Sequence, residues 1–197
     1  MLVLGIDPGT ANTGYGIVAG SGSRLHAVAH GVIETRPEMP PERRLAEIHA
    51  RICELIDAHE PEAIAIEALY FGANVQTASA VGQARGVVLL AAGQRGLPAR
   101  SYTPQQVKAA VCGSGRAAKS QVGRMAARLL GLSEMPRPDH AADALAVAIC
   151  ELNRAPLAGV AAGARPGVSR RPAGGVSAAT LARATGTDSH RPTPNAA

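Results

Sequence analysis

Hydrophobic and polar positions alternate in a readable order along this chain. Residues 2–7 (LVLGID) form a short apolar run that stops at Asp7-Pro8-Gly9, the pattern of a buried strand ended by a sharp turn. Residues 13–19 and 24–35 read as two further strands, separated by Gly20-Ser21-Gly22-Ser23. Two short turns between three successive strands predict an antiparallel meander. Residues 41–59 then switch to helical spacing, with Leu45, Ile48, Ile52, Leu55 and Ile56 on one stripe, and Pro61 ends the helix. Residues 63–67 (AIAIE) read as a fourth strand, 74–95 as an Ala- and Gly-rich helix, and 99–103 as a fifth strand. Thr103-Pro104 opens a helix through 111, with Thr103 as N-cap and Pro104 in the first helical position. Helices over 117–130 and 139–152 complete the body. The order predicts an α/β fold: a five-stranded mixed sheet, three strands antiparallel, then alternating helices and strands, with helices on both faces. The first strand is the most continuously apolar and belongs in the centre. The helix after strand three acts as a crossover that sets strand four beside strand one.

Composition changes the picture at the C-terminus. Residues 154–197 are Ala, Gly, Pro, Ser, Thr and Arg without periodicity, and cannot bury enough apolar surface to offset the entropy of ordering. The expected organisation is a folded body over 1–153 and a disordered basic tail over 154–197. Aromatic residues are only 2% of the 197, namely Tyr15, Tyr70, Phe71 and Tyr102, so the core must be aliphatic. Three cysteines without CxxC spacing argue against a disulfide framework or a zinc knuckle and fit a reducing cytosol. No apolar run reaches the roughly 18 residues of a membrane span, and no membrane partner is expected.

The net charge of +5 is misleading as a whole-chain number. The tail alone, with six Arg against Asp188, accounts for it, so the body is neutral. Yet the body is polarised. Residues 34–67 hold nine acids against four Arg, and residues 83–137 hold nine bases against Glu134. A basic segment in a neutral body is a plausible footprint for a polyanion. Its only two lysines, Lys108 and Lys119, stand among eighteen arginines in the chain. A compact ammonium meets phosphate differently from a guanidinium, which weights these lysines above the arginines; Arg85 and Arg116 join them as candidate phosphate contacts.

Two acids end buried strands. Asp7 closes strand one and Glu67 closes strand four, at the carboxyl edge where open α/β sheets build their sites. If those strands are neighbours, the two carboxylates converge. His140 and Asp143, three apart, share a face of the last helix, and flanking alanines let that helix approach the sheet closely. Asp139, beside them, reads as a helix cap. Asp7, Glu67, His140 and Asp143 together make an oxygen-rich set with one nitrogen donor. Hard divalent ions such as Mg²⁺ take such oxygens, and paired ions suit phosphodiester cleavage.

The blocks Leu4-Gly5-Ile6-Asp7-Pro8-Gly9-Thr10, Thr13-Gly14-Tyr15-Gly16, Ala65-Ile66-Glu67, Gly82-Gln83-Ala84-Arg85-Gly86-Val87, Gln106-Val107-Lys108, Lys119-Ser120-Gln121-Val122 and Ala141-Ala142-Asp143-Ala144-Leu145-Ala146 resemble, in order, those of RuvC, the bacterial Holliday junction resolvase family. They span nearly all of 1–153. The resemblance implies an RNase H-like fold, a homodimer, and paired Mg²⁺-dependent nicks in opposed strands of four-way junction DNA, with two ions per active site. It also implies a bacterial cytoplasmic, nucleoid-associated enzyme that meets a branch-migration helicase complex. The family's four metal ligands fall on Asp7, Glu67, His140 and Asp143. His140 departs from the aspartate of many members. An imidazole favours Mn²⁺ over Mg²⁺ as a ligand, or it serves as a general acid or base. Tyr70 and Phe71, just beyond Glu67, read as a wedge that stacks on an unpaired base, with Tyr70 the better match to the family's aromatic. The helix over 74–95 is the candidate dimer interface, through Ala78, Val81, Gly82, Arg85, Val88 and Leu89; the same stripe could equally pack on the sheet. Two other readings remain: a junction-binding scaffold without cleavage, and an actin-like ATPase, which would need a second domain and a second phosphate loop.

Overall fold

The computed structural model describes residues 1–21, 24–68 and 75–161. Its sheet has five strands: β1 (Leu2–Asp7), β2 (Asn12–Ser21), β3 (Arg24–Glu34), β4 (Ala63–Glu67) and β5 (Ala99–Tyr102). The spatial order is β3-β2-β1-β4-β5, so β1 is central. β1 and β3 each pair antiparallel with β2, whereas β4 lies parallel to β1 and β5 parallel to β4. Helix α1 (Pro41–His59) is the crossover that brings β4 beside β1. The expected strand order and mixed pairing are both present.

Strand parity then divides the core. Leu4 and Ile6 of β1 and Ile64 and Ile66 of β4 face one side, where they pack with Ile48, Ile52 and Ile56 of α1 and with Ala84 and Val88 of α2 (Val75–Gln94). Burying each isoleucine is worth about 2 kcal/mol, which is what fastens a helix as polar as α1 to the sheet. Val3 and Ala65 face the other side, against α3 (Pro104–Cys112), α4 (Lys119–Leu129) and α5 (Asp139–Ala161). Helices therefore cover both faces. Of the two places open to the α2 stripe, Val88 takes the core, fully buried, while Leu89 and Leu90 of the same helix point outward.

Local chemistry explains the helix ends around the site. Thr103 Oγ1 accepts from Gln106 N–H at 3.3 Å, and Gln106 Oε1 accepts from Thr103 N–H at 2.9 Å, a reciprocal capping box that starts α3. Gly113, at φ 73°, stops it in the left-handed region. Helix α5 runs to Ala161, eight residues past the expected end of the folded body at 153. The biased composition of the tail, with Pro156 and Gly159 inside this stretch, gives no helical signal there, so the sequence places the end of the body too early. The described residues belong to one compact unit, Met1–Ala162; the rest of the tail, residues 162–197, lies outside them. No helix among them is long and apolar enough to cross a membrane.

Candidate active site

The site is built by parity and by glycine. Asp7 stands two residues beyond Gly5 and Glu67 two beyond Ala65, so both carboxylates project from the α5 face at the carboxyl edge of adjacent parallel strands. On that face three positions carry no side chain: Gly5 pairs with Gly16, and Gly14 lies opposite Asp7. A Cβ on Gly5 would lie 2.1 Å from the Ala144 carbonyl oxygen, and one on Gly14 would lie 2.1 Å from that of His140. Helix α5 thus lies directly on backbone, closer than any side chain would permit. That contact carries His140 and Asp143 to the sheet edge. His140 Nδ1 and Asp7 Oδ2 are 2.7 Å apart.

Asp7, Glu67, His140 and Asp143 line one cavity of about 390 Å³, joined by Lys108 and Lys119 and by apolar walls that include Val107 and Val122. The electrostatics are those of crowded acids. Burial, then the charge of Asp7 and a hydrogen bond shared with it, and then the charge of Asp143 push the Glu67 carboxyl up to about 8. Burial also raises Asp143, against the opposing pull of Lys119. The Lys119 ammonium lies 2.8 Å from Asp143 Oδ2 and 3.8 Å from Asp139 Oδ2, and its own pKa rises mainly through the hydrogen bond to Asp143.

Three carboxylates and an imidazole, with like charges destabilising one another, are a donor set that a divalent cation would neutralise. The side chains as they stand do not close on one point: among the described residues, no three His, Cys, Asp or Glu side chains form a ready metal shell. His140 is engaged with Asp7, and Lys119 with Asp143. The donors fit the ion in kind, and their rotamers must turn inward to hold it.

The other expected residues fall in three groups. Lys108 and Lys119 share the cavity, Lys119 in a closer relation to Asp143 than a role in DNA contact alone suggests. Arg85 and Arg116 do not line it. Arg85 donates to Ser101 Oγ at 2.7 Å, and Arg116 is exposed on the connection between α3 and α4. Tyr70 and Phe71 lie outside the described residues. What sequence reasoning missed is the glycine face, although its signal was present: Gly5, Gly14 and Gly16 recur at two-residue steps on strands that pair. It also missed Glu151, 1% exposed on α5, which accepts from Arg100 and from the Tyr102 hydroxyl and so ties β5 to α5. Burial, then the Glu151 hydrogen bond, raises the Tyr102 hydroxyl well above its ordinary pKa.

Residues 3–151 match the family model described as crossover junction endodeoxyribonuclease RuvC. The chain belongs to the RuvC family of crossover junction endodeoxyribonucleases. The RuvC of Moorella thermoacetica is 56% identical over 156 residues, which is 79% of this chain and 93% of that protein. The Thermus thermophilus RuvC structure superposes with a TM-score of 0.75 at 42% identity, covering 80% of this chain and 97% of that one. The structure of T. thermophilus RuvC in complex with Holliday junction substrate gives 0.74 at 40% identity, over 80% and 96% of the two chains. A RuvC of this kind is an enzyme that cleaves phosphodiester bonds, and neither the scaffold nor the ATPase reading finds support in these comparisons.

Proposed function

We propose that this RuvC family member resolves four-way DNA junctions, with Asp7, Glu67, His140 and Asp143 as its hydrolytic centre. The observation that carries the assignment is their convergence, from two adjacent strand ends and one helix, on a single cavity that also holds two lysines. RuvC nucleases depend in general on divalent metal, and these four side chains would hold it. Two ions at such a centre supply activation of the attacking water and charge neutralisation at the leaving oxygen.

The chain's own residues do the rest. Val107, Val122 and Ala146 give the carboxylates an apolar flank, which strengthens the charge interactions beside it. Asp7 fixes the His140 ring through Nδ1, leaving Nε2 as the nitrogen that meets a metal ion or holds a proton. Lys108 and Lys119 bring positive charge to a scissile phosphate. The bases of residues 83–137, Arg85 and Arg116 among them, extend that attraction across the surface, and binding weakens steeply with salt as counterions are released. Tyr70 and Phe71 serve as the wedge at the junction centre. A junction presents two equivalent strands, so two copies related by a two-fold axis are the economical arrangement. The outward side of α2, with Leu89 and Leu90, is the surface for that pairing. A branch-migration helicase complex is the expected partner in the cytoplasm.

A labelled four-way junction in Mg²⁺ and in Mn²⁺ tests the assignment. Asp7→Asn removes charge and keeps shape, so it should abolish cleavage and bind the junction at least as tightly as wild type. Cleavage by Asp7→Asn at the wild-type rate would refute it. If His140 is a ligand, Mn²⁺ outperforms Mg²⁺ in the wild type, and His140→Asp shifts the rate ratio back toward Mg²⁺. An unchanged ratio assigns His140 to proton transfer or positioning.

A further inference from the structure

The Lys119 ammonium bridges two helices. It stands at the first turn of α4, and Asp139 and Asp143, whose oxygens it meets at 3.8 and 2.8 Å, are one turn apart on α5. The pair is not sealed: the Lys119 side chain is 60% exposed and that of Asp143 24%. Lys119 also borders two cavities. One is the active-site cavity, and the other, of about 270 Å³, lies between α4 and α5 and is lined by Ser120, Met135, Asp139 and Asp143 among others. A flexible four-carbon stem therefore has space on either side and a second carboxylate within reach.

We propose that Lys119 is a displaceable counter-ion: without metal it neutralises Asp143, and it must leave Asp143, toward Asp139 or a DNA phosphate, before a divalent cation can be held there. This inference rests on the assignment of Asp143 to the metal-binding set. Two cations cannot share one carboxylate oxygen at contact distance without repulsion. Lysine suits the exchange, because its ammonium is a compact charge with no fixed fork geometry to give up. A phosphate that takes the ammonium frees Asp143, so DNA and metal strengthen each other's binding. By linkage the effect is reciprocal.

The test is Mn²⁺ binding to the full-length chain without DNA, read from the paramagnetic resonance signal of free Mn²⁺. Lys119→Met should tighten Mn²⁺ binding roughly two- to fivefold, the scale of a half-exposed ion pair. Lys119→Arg, which keeps the charge, should not tighten it. Arg43→Met, on α1 at the opposite face of the sheet, should leave Mn²⁺ affinity unchanged. Asp143→Asn should weaken binding. If Lys119→Met fails to fold by circular dichroism, Lys119→Gln takes its place. Weakening by Asp143→Asn without tightening by Lys119→Met overturns the counter-ion and leaves the site assignment intact. An unchanged affinity in Asp143→Asn removes Asp143 from the metal set and the inference with it.

Discussion

Gly14→Ala adds one carbon on β2, at a position whose backbone conformation gives no strain for alanine, so its effect is steric. That carbon would sit 2.1 Å from the His140 carbonyl oxygen and 3.0 Å from the His140 Cβ. An ordinary carbon–oxygen contact is about 3.3 Å, so the first turn of α5 must retreat by roughly 1 Å. The Asp7–His140 hydrogen bond, now 2.7 Å, would stretch past its useful range. Overpacking of this kind costs about 1–3 kcal/mol of stability. A displacement of about 1 Å at a catalytic constellation costs on the order of 10²-fold in rate. The assay is single-turnover cleavage of a labelled four-way junction, with urea unfolding and metal-free junction binding measured in parallel. The expected outcome is a folded, slightly destabilised protein that binds junctions normally and cleaves slowly. Gly93→Ala is the control, since a Cβ there meets nothing within 4 Å. Wild-type cleavage by Gly14→Ala, at wild-type stability, would refute the view that bare backbone beneath α5 sets the active-site geometry.

Two further outcomes follow from the charges. The Glu67 carboxyl sits at about 8 in the folded metal-free protein against 4.5 as its ordinary value, so its contribution to stability is full below pH 4.5 and is lost as pH rises through 8. Urea unfolding in a chelator should therefore show Glu67→Gln gaining on wild type between pH 5 and pH 8, by a few kcal/mol at most; a pH-independent difference would contradict it. Arg100→Met should destabilise the fold by about 3 kcal/mol, because it strips the cation from a buried Glu151 that Tyr102 alone then serves. Thermal unfolding of Arg100→Met against Arg100→Met/Glu151→Gln checks this, with the double variant expected to recover part of the loss.

Much of the protein was determined by sequence alone, because the interactions concerned are local or periodic. Continuous apolar runs over residues 2–7 and 63–67 define buried strands, and the chain returns Asp7 and Glu67 at their ends. The 3.6-residue stripe of α1, the cap at Thr103 and the i, i+3 pair of His140 and Asp143 all lie within one element and need no tertiary knowledge. The end of α5 lies beyond the reach of such local signals: Pro156 and Gly159 read as breakers, yet the helix runs to Ala161. What only the tertiary structure decided concerns distances between elements. Gly5 and Gly14 read as turn or strand glycines until α5 is laid across them, and then they set how near His140 comes to Asp7. Lys119 reads as one of two lysines that meet phosphate, yet packing of α4 on α5 makes it the partner of Asp143. Val88 reads equally as interface or as sheet contact, and packing makes it core. Period and charge identify which residues share a face, whereas burial, ion pairing and the pKa of Glu67 depend on what the opposing element brings to within a few ångströms, and that is fixed only when the helix meets the sheet.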